Sequence, residues 1–308
     1  MPDERVLALD VGGTTIKAAI AGPDGTLHHR VRRDTGRAAG PDVVVATILG
    51  LADELGRRVK GAGCRLAGAG VVVPGLVDEG QGIAVDSSNI GWRDVPLRDL
   101  AQQRLGVPVY VGHDVRAGGL AEARRGAAQG RSCSLFLPIG TGIGGALVIA
   151  GKPYAGASYA AAELGHVVVR PNGEPCVCGR IGCLETVASA AAIARRYNAA
   201  TGFAVAGAVD VAERADQGDA AANRVWGQAV DAIADALVIA ATLLDPEVVV
   251  VGGGLSESGP RLLDPLRQRM SERVTVGRAP ELVRAQLGDE AGCVGAALMA
   301  LDLVNSTS

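Results

Sequence analysis

Aromatic residues are scarce in this 308-residue sequence: they make up 3% of it, with two tryptophans and two phenylalanines. The core must therefore be built from Ala, Val, Leu and Ile, since hydrophobic residues of all kinds still account for 48% of the chain. Glycine, by contrast, occurs 44 times. This composition is typical of α/β proteins, and the length suffices for two domains or for one large divided domain.

The sequence also lacks an excess of charge of one sign and a long apolar segment. Its net charge is -3, with acidic and basic residues interspersed, so it offers no positive stripe to a nucleic-acid backbone. The amino terminus has no secretory signal, and the longest apolar helical run, at 236–244, is too short to span a bilayer. We therefore expect a cytoplasmic protein that binds neither nucleic acid nor membrane.

Two distant stretches resemble each other: RVLALDVGGTTIKAAIAGPDG from Arg5 and SLFLPIGTGIGGALVIAGKP from Ser134. Each predicts a strand, a glycine-rich turn, a second strand and another turn. This similarity indicates a duplicated α/β domain in which each half begins with a hairpin. We predict a smaller amino-terminal domain at 1–114, joined by a carboxyl-terminal helix at 291–308, and a larger domain at 115–290.

The glycine-rich turns predict a phosphate site. GTGIGG at 140–145 matches the dinucleotide fingerprint, but a strand follows it where that fingerprint needs a helix. Two facing hairpins can instead hold a polyphosphate through backbone N–H groups and hydroxyls, while Asp10 holds Mg²⁺ through water. A third glycine cluster, after the strand EVVVV, is assigned to the adenosine of a nucleotide. The predicted nucleotide-binding residues are Asp10, Gly12, Gly13, Thr14, Thr15, Gly140, Thr141, Gly142, Gly252, Gly253 and Gly254. The alternative, that these glycines only form tight hairpins, explains neither the threonines nor Asp10.

DVGGT near the start, GTGIGG in mid-chain, and ELGH followed by CVCGRIGCLE together resemble the ROK family. The resemblance covers nearly the whole chain, and the cysteine segment is its most specific part. It implies two ribonuclease-H-like α/β domains, of the actin and hexokinase type, that flank a substrate cleft. The family includes bacterial glucokinases, other sugar kinases and sugar-responsive repressors. Its repressors carry a winged helix-turn-helix before the DVGGT-like turn, and here nine residues precede Asp10, which disfavours a DNA-binding role.

The cysteine segment predicts a structural metal site. In a cytosolic chain, clustered cysteines favour metal binding over disulfides. One imidazole and three thiolates suit tetrahedral Zn²⁺, and four protein ligands leave no open position for catalysis. The predicted zinc ligands are His166, Cys176, Cys178 and Cys183. The alternative is three reduced core cysteines.

The metal is expected to fix the carboxylates beside it. By resemblance, Glu163, His166 and Glu185 contact hydroxyls around the anomeric end of a hexose. Alternatively, Glu163 caps a turn and Glu185 favours the start of a helix through its dipole.

VYVGHDVRAGG places Asp114 after a buried strand and at the start of a helix, a position suited to a catalytic carboxylate or to a plain helix cap. In the family's glucokinases this segment reads Glu-Asn-Asp-Ala-Asn, and the aspartate accepts the proton of the sugar's 6-hydroxyl. His113 replaces the sugar-binding asparagine here, so it either reproduces that contact or marks a different substrate at the 4-hydroxyl. The resemblance also implies that Asn89 and Gly75 line the sugar site.

The sequence therefore predicts an ATP-dependent kinase that phosphorylates the 6-hydroxyl of a hexose, with glucose favoured, and that uses ATP, Mg²⁺ and a structural Zn²⁺. The alternatives are a kinase for another hexose or for an N-acylated amino sugar such as N-acetylmannosamine, and a non-catalytic sugar sensor. The resemblance further implies a homodimer or homotetramer.

Overall fold

The computed structural model describes residues 3–307, so the outermost residues of the predicted domains, 1, 2 and 308, lie outside the described part. The chain divides into two compact units. Unit 1 consists of the residues up to Ala121, of Ala155–Ala160 and of the residues from Asp289 onward, and unit 2 consists of Glu122–Tyr154 and Ala161–Gly288.

Unit 1 is built on a five-stranded sheet with a smaller three-stranded sheet beside it. Its strands are β1 (Glu4–Val11), β2 (Thr15–Ala21), β3 (Leu27–Asp34), β4 (Arg65–Val73), β5 (Leu76–Asp78), β6 (Ile83–Asp86), β7 (Arg93–Val95) and β8 (Val109–His113). Its helices are α1 (Pro41–Gly61), α2 (Leu97–Leu105) and α3 (Asp114–Arg125), of which α3 continues into unit 2. The large sheet has the order β3-β2-β1-β4-β8, and β5, β6 and β7 form the small one.

The sheet order of unit 1 brings the carboxyl ends of three strands to one edge. Strands β1, β4 and β8 are parallel, so their carboxyl ends lie at the same edge of the sheet. Strand β4 is apolar and buried over eight of its nine residues, as a central parallel strand must be. Helix α1 covers one face with apolar residues at helical spacing, including Val44, Ile48 and Leu55.

Unit 2 repeats this architecture. Its strands are β9 (Cys133–Pro138), β10 (Ala146–Ile149), β11 (Lys152–Pro153), β12 (Val248–Gly252) and β13 (Glu281–Arg284), in the order β11-β10-β9-β12-β13. Its helices are α4 (Leu184–Ala188), α5 (Ala190–Thr201), α6 (Ala208–Asp216), α7 (Ala220–Leu244) and α8 (Pro260–Arg273). In both units the first strand pairs antiparallel with the second and parallel with the fourth. The predicted duplication and the ribonuclease-H-like fold class are confirmed.

Helix α7 extends from Ala220 to Leu244 and contains the apolar run at 236–244 as its last part. Over residues 3–307 it is the one helix whose length and composition would suffice to cross a membrane. Its apolar residues are used inside unit 2, where α7 packs against α4, α5, α6 and α8 and buries Trp226, Ile233 and Leu237. Its hydropathy is therefore accounted for by core packing.

The last helix, α9 (Ala291–Thr307), packs on β1 and β4 of unit 1. It also approaches α3 so closely that a Cβ atom at Gly295 would lie 2.0 Å from the carbonyl oxygen of Ala117. Because of this contact, the first turns of α3 belong to unit 1. The division therefore falls between Ala121 and Glu122, later than the predicted boundary after residue 114, and 155–160 also belongs to unit 1.

Candidate active site

A tight turn follows Asp10 at the end of β1. The N–H of Gly12 donates to the carbonyl of Thr15 at 2.9 Å, which closes the β1–β2 hairpin. Thr14 is exposed on this turn, and Gly13 and Thr15 are partly exposed. The predicted phosphate-binding residues 12–15 therefore form one accessible turn, with Asp10 beneath it.

Asp10 itself is buried, with 9% of its surface exposed. Burial raises its pKa to about 6, although Lys17 opposes the shift, and the charge of Asp114 raises the pKa further. Lys17 lies opposite Asp10 in the β1–β2 register, and its Nζ is 3.6 Å from Asp10 Oδ2. The same Nζ donates to the backbone carbonyl of Asp289 at 3.0 Å. Lys17 was not among the predicted site residues.

Asp114 begins α3 directly after β8. Its Oδ1 accepts a hydrogen bond of 2.7 Å from the N–H of Val115, which is not the bond that a helix cap makes. Burial raises the pKa of Asp114 to about 6, against the opposing effects of the Val115 N–H, Arg116 and Lys17. A carboxylate of this kind is ionised at neutral pH and accepts a proton more readily than an ordinary aspartate.

His113 is buried beside Asp114, with 6% of its surface exposed. Its Nε2 lies 3.5 Å from Asp114 Oδ1. Burial and the charge of Arg116 lower the pKa of His113 to about 3, against the opposing effect of Glu79. The ring is therefore neutral at physiological pH. Its buried Nδ1 has no hydrogen-bond partner among the described residues.

Asn89 and Gly75 occupy different surroundings in unit 1. Asn89 is exposed, its carbonyl accepts from Arg37 Nη1 at 3.4 Å, and its Cβ lies 4.0 Å from where a side chain on Gly13 would begin. Asn89 thus lies beside the turn at residues 12–15, which is called the phosphate turn below because it is the predicted phosphate site. Gly75 has a φ of 95°, and a Cβ there would come within 2.1 Å of the Asp86 carbonyl. This glycine is required for the close approach of the β4–β5 turn to residues 86 and 87.

In unit 2, the four predicted metal ligands meet. The Nδ1 of His166 is 3.6 Å from Cys176 Sγ, Cys178 Sγ is 3.6 Å from Cys183 Sγ, and all four ligand atoms lie within 4.8 Å of one another. In a tetrahedral zinc site with Zn–S bonds of about 2.3 Å, the sulfurs are about 3.8 Å apart. Burial raises the pKa of Cys183 to about 12, so its thiolate forms only with a cation beside it. The donors and their spacing fit Zn²⁺.

The two predicted sugar-binding carboxylates adjoin this cluster in sequence. Glu163 precedes the 3-10 helix Leu164–His166, and its side chain makes no capping bond to it. Glu185 lies in the first turn of α4, and its Oε2 accepts from the N–H of Ile143 at 3.2 Å. Glu185 therefore connects the cysteine segment to the glycine-rich turn at 140–145.

That turn packs against the triple glycine. The N–H of Ile139 donates to the Gly252 carbonyl at 2.9 Å, and a Cβ at Gly253, whose φ is 72°, would lie 2.4 Å from the Ile139 carbonyl. Only Gly254 of the three has open space where a side chain would be. The predicted nucleotide-binding residues of unit 2 are thus brought together: Gly140, Thr141, Gly142, Gly252, Gly253 and Gly254. Internal packing already explains the first two glycines of the triplet.

Comparison with known proteins gives matches along almost the entire chain. A family model described as the ROK family matches residues 6–303. The glucokinase of Thermotoga maritima is 36% identical, over 96% of this chain and 97% of that protein. A ROK hexokinase structure from Thermus thermophilus is 34% identical with a TM-score of 0.84, over 98% and 99% of the two chains. A ROK glucokinase structure from Streptomyces griseus in complex with glucose and AMPPNP is 31% identical with a TM-score of 0.80, over 97% and 99%.

Proteins with other activities match as well. An N-acetylmannosamine kinase of Escherichia coli is 31% identical, over 96% of this chain and 97% of that protein. A xylose repressor of Bacillus spizizenii is 28% identical, over 94% of this chain and 75% of the repressor.

Proposed function

This chain belongs to the ROK family, and we propose that it transfers the γ-phosphoryl group of ATP to the 6-hydroxyl of a hexose, with glucose as the favoured substrate. The relatives described as glucokinase and hexokinase, at 36% and 34% identity, support this choice of reaction and sugar. The glucokinase structure that contains glucose and AMPPNP supports ATP as the donor.

The observation that carries the proposal is the environment of Asp114. Its carboxylate is placed at the start of α3, in the same unit as Asp10 and the phosphate turn, and burial raises its pKa to about 6. A general base works best when its pKa lies near the working pH. Asp114 is therefore suited to accept the proton of the 6-hydroxyl as that oxygen attacks the γ-phosphorus.

The other residues of unit 1 would bind and orient the substrates. The turn Gly12–Thr15, whose Gly12 N–H already bonds the Thr15 carbonyl, would donate its other N–H groups and its hydroxyls to phosphate oxygens. Asp10 would hold Mg²⁺ through water, and Mg²⁺ supplies positive charge to the phosphates. His113 and Asn89 would hydrogen-bond the sugar. Gly75 lets the β4–β5 turn pack closely against residues 86 and 87. In phosphoryl transfer, such positioning and charge neutralisation supply most of the catalysis.

Residues of unit 2 would also bind sugar and nucleotide. Residues 140–142 and 252–254 would contact the nucleotide, with Gly254 open for close approach of the adenosine. The Nδ1 of His166 faces the cysteines, which leaves its Nε2 for a sugar hydroxyl. Glu163 and Glu185 would accept hydrogen bonds from neighbouring hydroxyls, which charged acceptors bind strongly.

The cluster of His166 and three cysteines would hold a structural Zn²⁺. Four protein donors complete a tetrahedral shell, so the ion would fix residues 163–185 without touching the substrate. The homodimer or homotetramer that the family resemblance implies stays a prediction, which light scattering on the purified protein would test.

A second substrate class has support of its own. The kinase relative described as acting on N-acetylmannosamine and the unpartnered Nδ1 of His113 both favour testing amino sugars. The repressor relative motivates the further alternative of a sugar sensor without turnover.

The deciding experiment measures phosphorylation of glucose, mannose, N-acetylglucosamine and N-acetylmannosamine, each with ATP and with polyphosphate as donor. We expect the highest kcat/KM with glucose and ATP. Asp114→Asn should lower kcat by about 10² to 10⁴ with ATP affinity unchanged, because it removes the base alone. Turnover of only an acylated sugar would transfer the proposal to that substrate. Sugar binding without any turnover would favour the sensor, and an Asp114→Asn variant with most of its activity would contradict the assigned base.

A further inference from the structure

A buried ion pair lies next to Asp114 in the chain, and none of the roles above uses it. Arg116, two residues further along α3, has a side chain that is 1% exposed. Its Nε donates to Glu79 Oε1 at 2.8 Å, and its Nη1 donates to the backbone carbonyl of Tyr159 at 2.9 Å. The side chain of Glu79 is 17% exposed.

We propose that Arg116 and Glu79 are positioning residues for the phosphoryl transfer: they fix the first turn of α3, and with it the Asp114 carboxylate, relative to β8 and to the segment 155–160. This inference rests on the proposed function, since it assigns a task only if Asp114 is the base.

Glu79 connects α3 to the strand before it. Besides the bond from Arg116, its Oε1 accepts from the backbone N–H of His113 at 3.3 Å, and its Oε2 accepts from the hydroxyl of Tyr110 at 3.1 Å. One carboxylate therefore holds two residues of β8 and one residue of α3. Asp114 lies between His113 and Arg116 in the chain, so its backbone is anchored on both sides.

Arg116 connects α3 to the segment 155–160. Tyr159, whose carbonyl accepts from Arg116, has a φ of 59°, which is uncommon for a residue other than glycine. The side chain of Tyr159 hydrogen-bonds Asp78, the residue before Glu79. Segment 155–160 is thus bound to the same network through its backbone and its side chain. Glu163, a predicted sugar-binding residue, follows three residues after the end of this segment.

Stability alone does not account for this pair. Removing two charged groups from water is expensive, and well-packed apolar residues in place of a buried ion pair are often at least as stable. The Nη2 of Arg116 is also buried without a hydrogen-bond partner among the described residues, which adds to that penalty. A role in holding the backbone around Asp114 would explain why the chain keeps the Arg116–Glu79 pair.

Arg116 also acts on Asp114 through its charge. The charged or titratable groups that act on this carboxylate are Asp10 from β1, Lys17 from β2, His113 from β8 and Arg116 from α3 itself. Arg116 lowers the pKa values of both Asp114 and His113, whereas Glu79 raises that of His113. The guanidinium therefore favours an ionised base beside a neutral imidazole, and Glu79 moderates this effect.

The test is the pH dependence of kcat at saturating sugar and ATP for Arg116→Gln, Arg116→Lys and Glu79→Gln. Arg116→Gln should lower kcat about 10- to 100-fold through misplacement of the base, with the KM for ATP unchanged. Its acidic limb should move up by about 0.5 to 1 pH unit, and that of Glu79→Gln should move down, because the two changes remove opposite charges. Arg116→Lys keeps the charge and should keep the limb near its wild-type position.

Arg273→Gln is the matched control. It removes a half-buried arginine of unit 2 that pairs with Asp231 and Asp235, and it should leave kcat and the limb unchanged. Circular dichroism and thermal midpoints show whether each variant folds. If Arg116→Gln does not fold, Arg116→Lys and Glu79→Gln decide the question by the same two readouts.

Three results would overturn the inference. If the folded variants keep the wild-type kcat and the wild-type acidic limb of the pH profile, the pair has no part in catalysis. If the acidic limbs of Arg116→Gln and Glu79→Gln move in the same direction, or if all three variants fail to fold, the pair has a purely structural role. A wild-type protein that turns over no sugar would remove the proposed function and this inference together, whereas an active wild type with unmoved limbs would remove this inference alone.

Discussion

At the scale of single residues, two aspartates of unit 1 are held where their charge is disfavoured. Asp10 and Asp114 both have pKa values raised to about 6, in each case chiefly by burial. A raised carboxyl pKa means that the folded protein binds protons more tightly than the unfolded chain does. Ionising these groups therefore lowers stability at neutral pH, as is common where a site is built for chemistry.

Replacing Asp114 should therefore stabilise the protein while lowering the proposed kinase activity. In the unfolded chain the pKa of an aspartate is about 3.9, so wild-type stability falls as the pH rises from there through the folded value. Asparagine does not ionise, and its side-chain oxygen can still accept the bond from Val115. Because the side chain of Asp114 is 26% exposed, we expect Asp114→Asn to raise the free energy of unfolding by about 1–2 kcal/mol at about pH 8.

Urea unfolding across pH checks this expectation. The gain should shrink as the pH falls below about 6 and vanish below about 3, where the aspartate is protonated in both the folded and the unfolded state. Asp264→Asn, at a side chain that is 64% exposed, serves as control and should change the free energy of unfolding by less than about 0.5 kcal/mol. A destabilised Asp114→Asn at about pH 8 would contradict the explanation from burial.

Some of these residues could be identified from the sequence and others could not. The four predicted metal ligands do meet, because residue type and close spacing along the chain define such a cluster. Lys17 was missed, although a hairpin with a short turn after Val11 places it opposite Asp10. Glu79 and Tyr159 carried no signal at all, since only the folded chain brings them to Arg116.

At the scale of elements, the first turn of α9 lies against the Asp10 carboxylate. A Cβ at Gly292 would come within 2.5 Å of Asp10 Cγ, so any side chain there must displace the carboxylate. We expect Gly292→Ala to raise the KM for MgATP and to lower kcat, each by about tenfold, through misplacement of Asp10.

The matched change is Gly50→Ala in α1, where a Cβ meets open space. It should leave both kinetic constants unchanged and raise stability by up to about 1 kcal/mol, since alanine favours a helix over glycine. Wild-type kinetics in Gly292→Ala would show that Asp10 tolerates displacement or has no part in MgATP binding.

The cysteine segment should depend as a unit on the proposed zinc. Chelation, or Cys178→Ser, should remove one zinc per chain and speed hydrogen exchange across 163–185, because the four proposed ligands would hold that segment through the ion. The KM for sugar should rise by more than about tenfold, while nucleotide binding persists. Cys64→Ser, outside the cluster, is the control. Elemental analysis without stoichiometric zinc in the wild type would contradict the metal assignment.

Prediction of elements succeeded where the pattern was long and periodic. The paired hairpins and the strand EVVVV both follow from apolar runs bounded by glycine. The small sheet of β5, β6 and β7 was not foreseen, because strands of three or four residues have too little periodicity to be distinguished from loops. The excursion 155–160 into unit 1 is likewise a matter of long-range contacts.

At the scale of the whole molecule, unit 1 is assembled from three separate parts of the chain. Helix α9 buries apolar residues of β1 and β4, and its own Ala296, Ala297 and Ala300 are fully buried. Truncation after Gly288 should therefore leave an apolar face uncovered and give aggregated protein or a loss of most of its stability. Solubility and thermal unfolding measure this, and truncation after Asn305 is the control. A soluble, cooperatively unfolding protein without α9 would contradict the packing described.

The placement of α9 also sets an order of events during synthesis. Every residue of unit 2 leaves the ribosome before α9 does, so its core can close while translation continues. The core of unit 1 cannot be completed at that stage, because β1 is synthesised first and α9, which covers it, is synthesised last. At that stage unit 2, which contains the cluster of His166 and three cysteines, is complete in sequence, whereas unit 1, which holds Asp10 and Asp114, still lacks α9. The proposed kinase activity should therefore appear only after α9 has been synthesised.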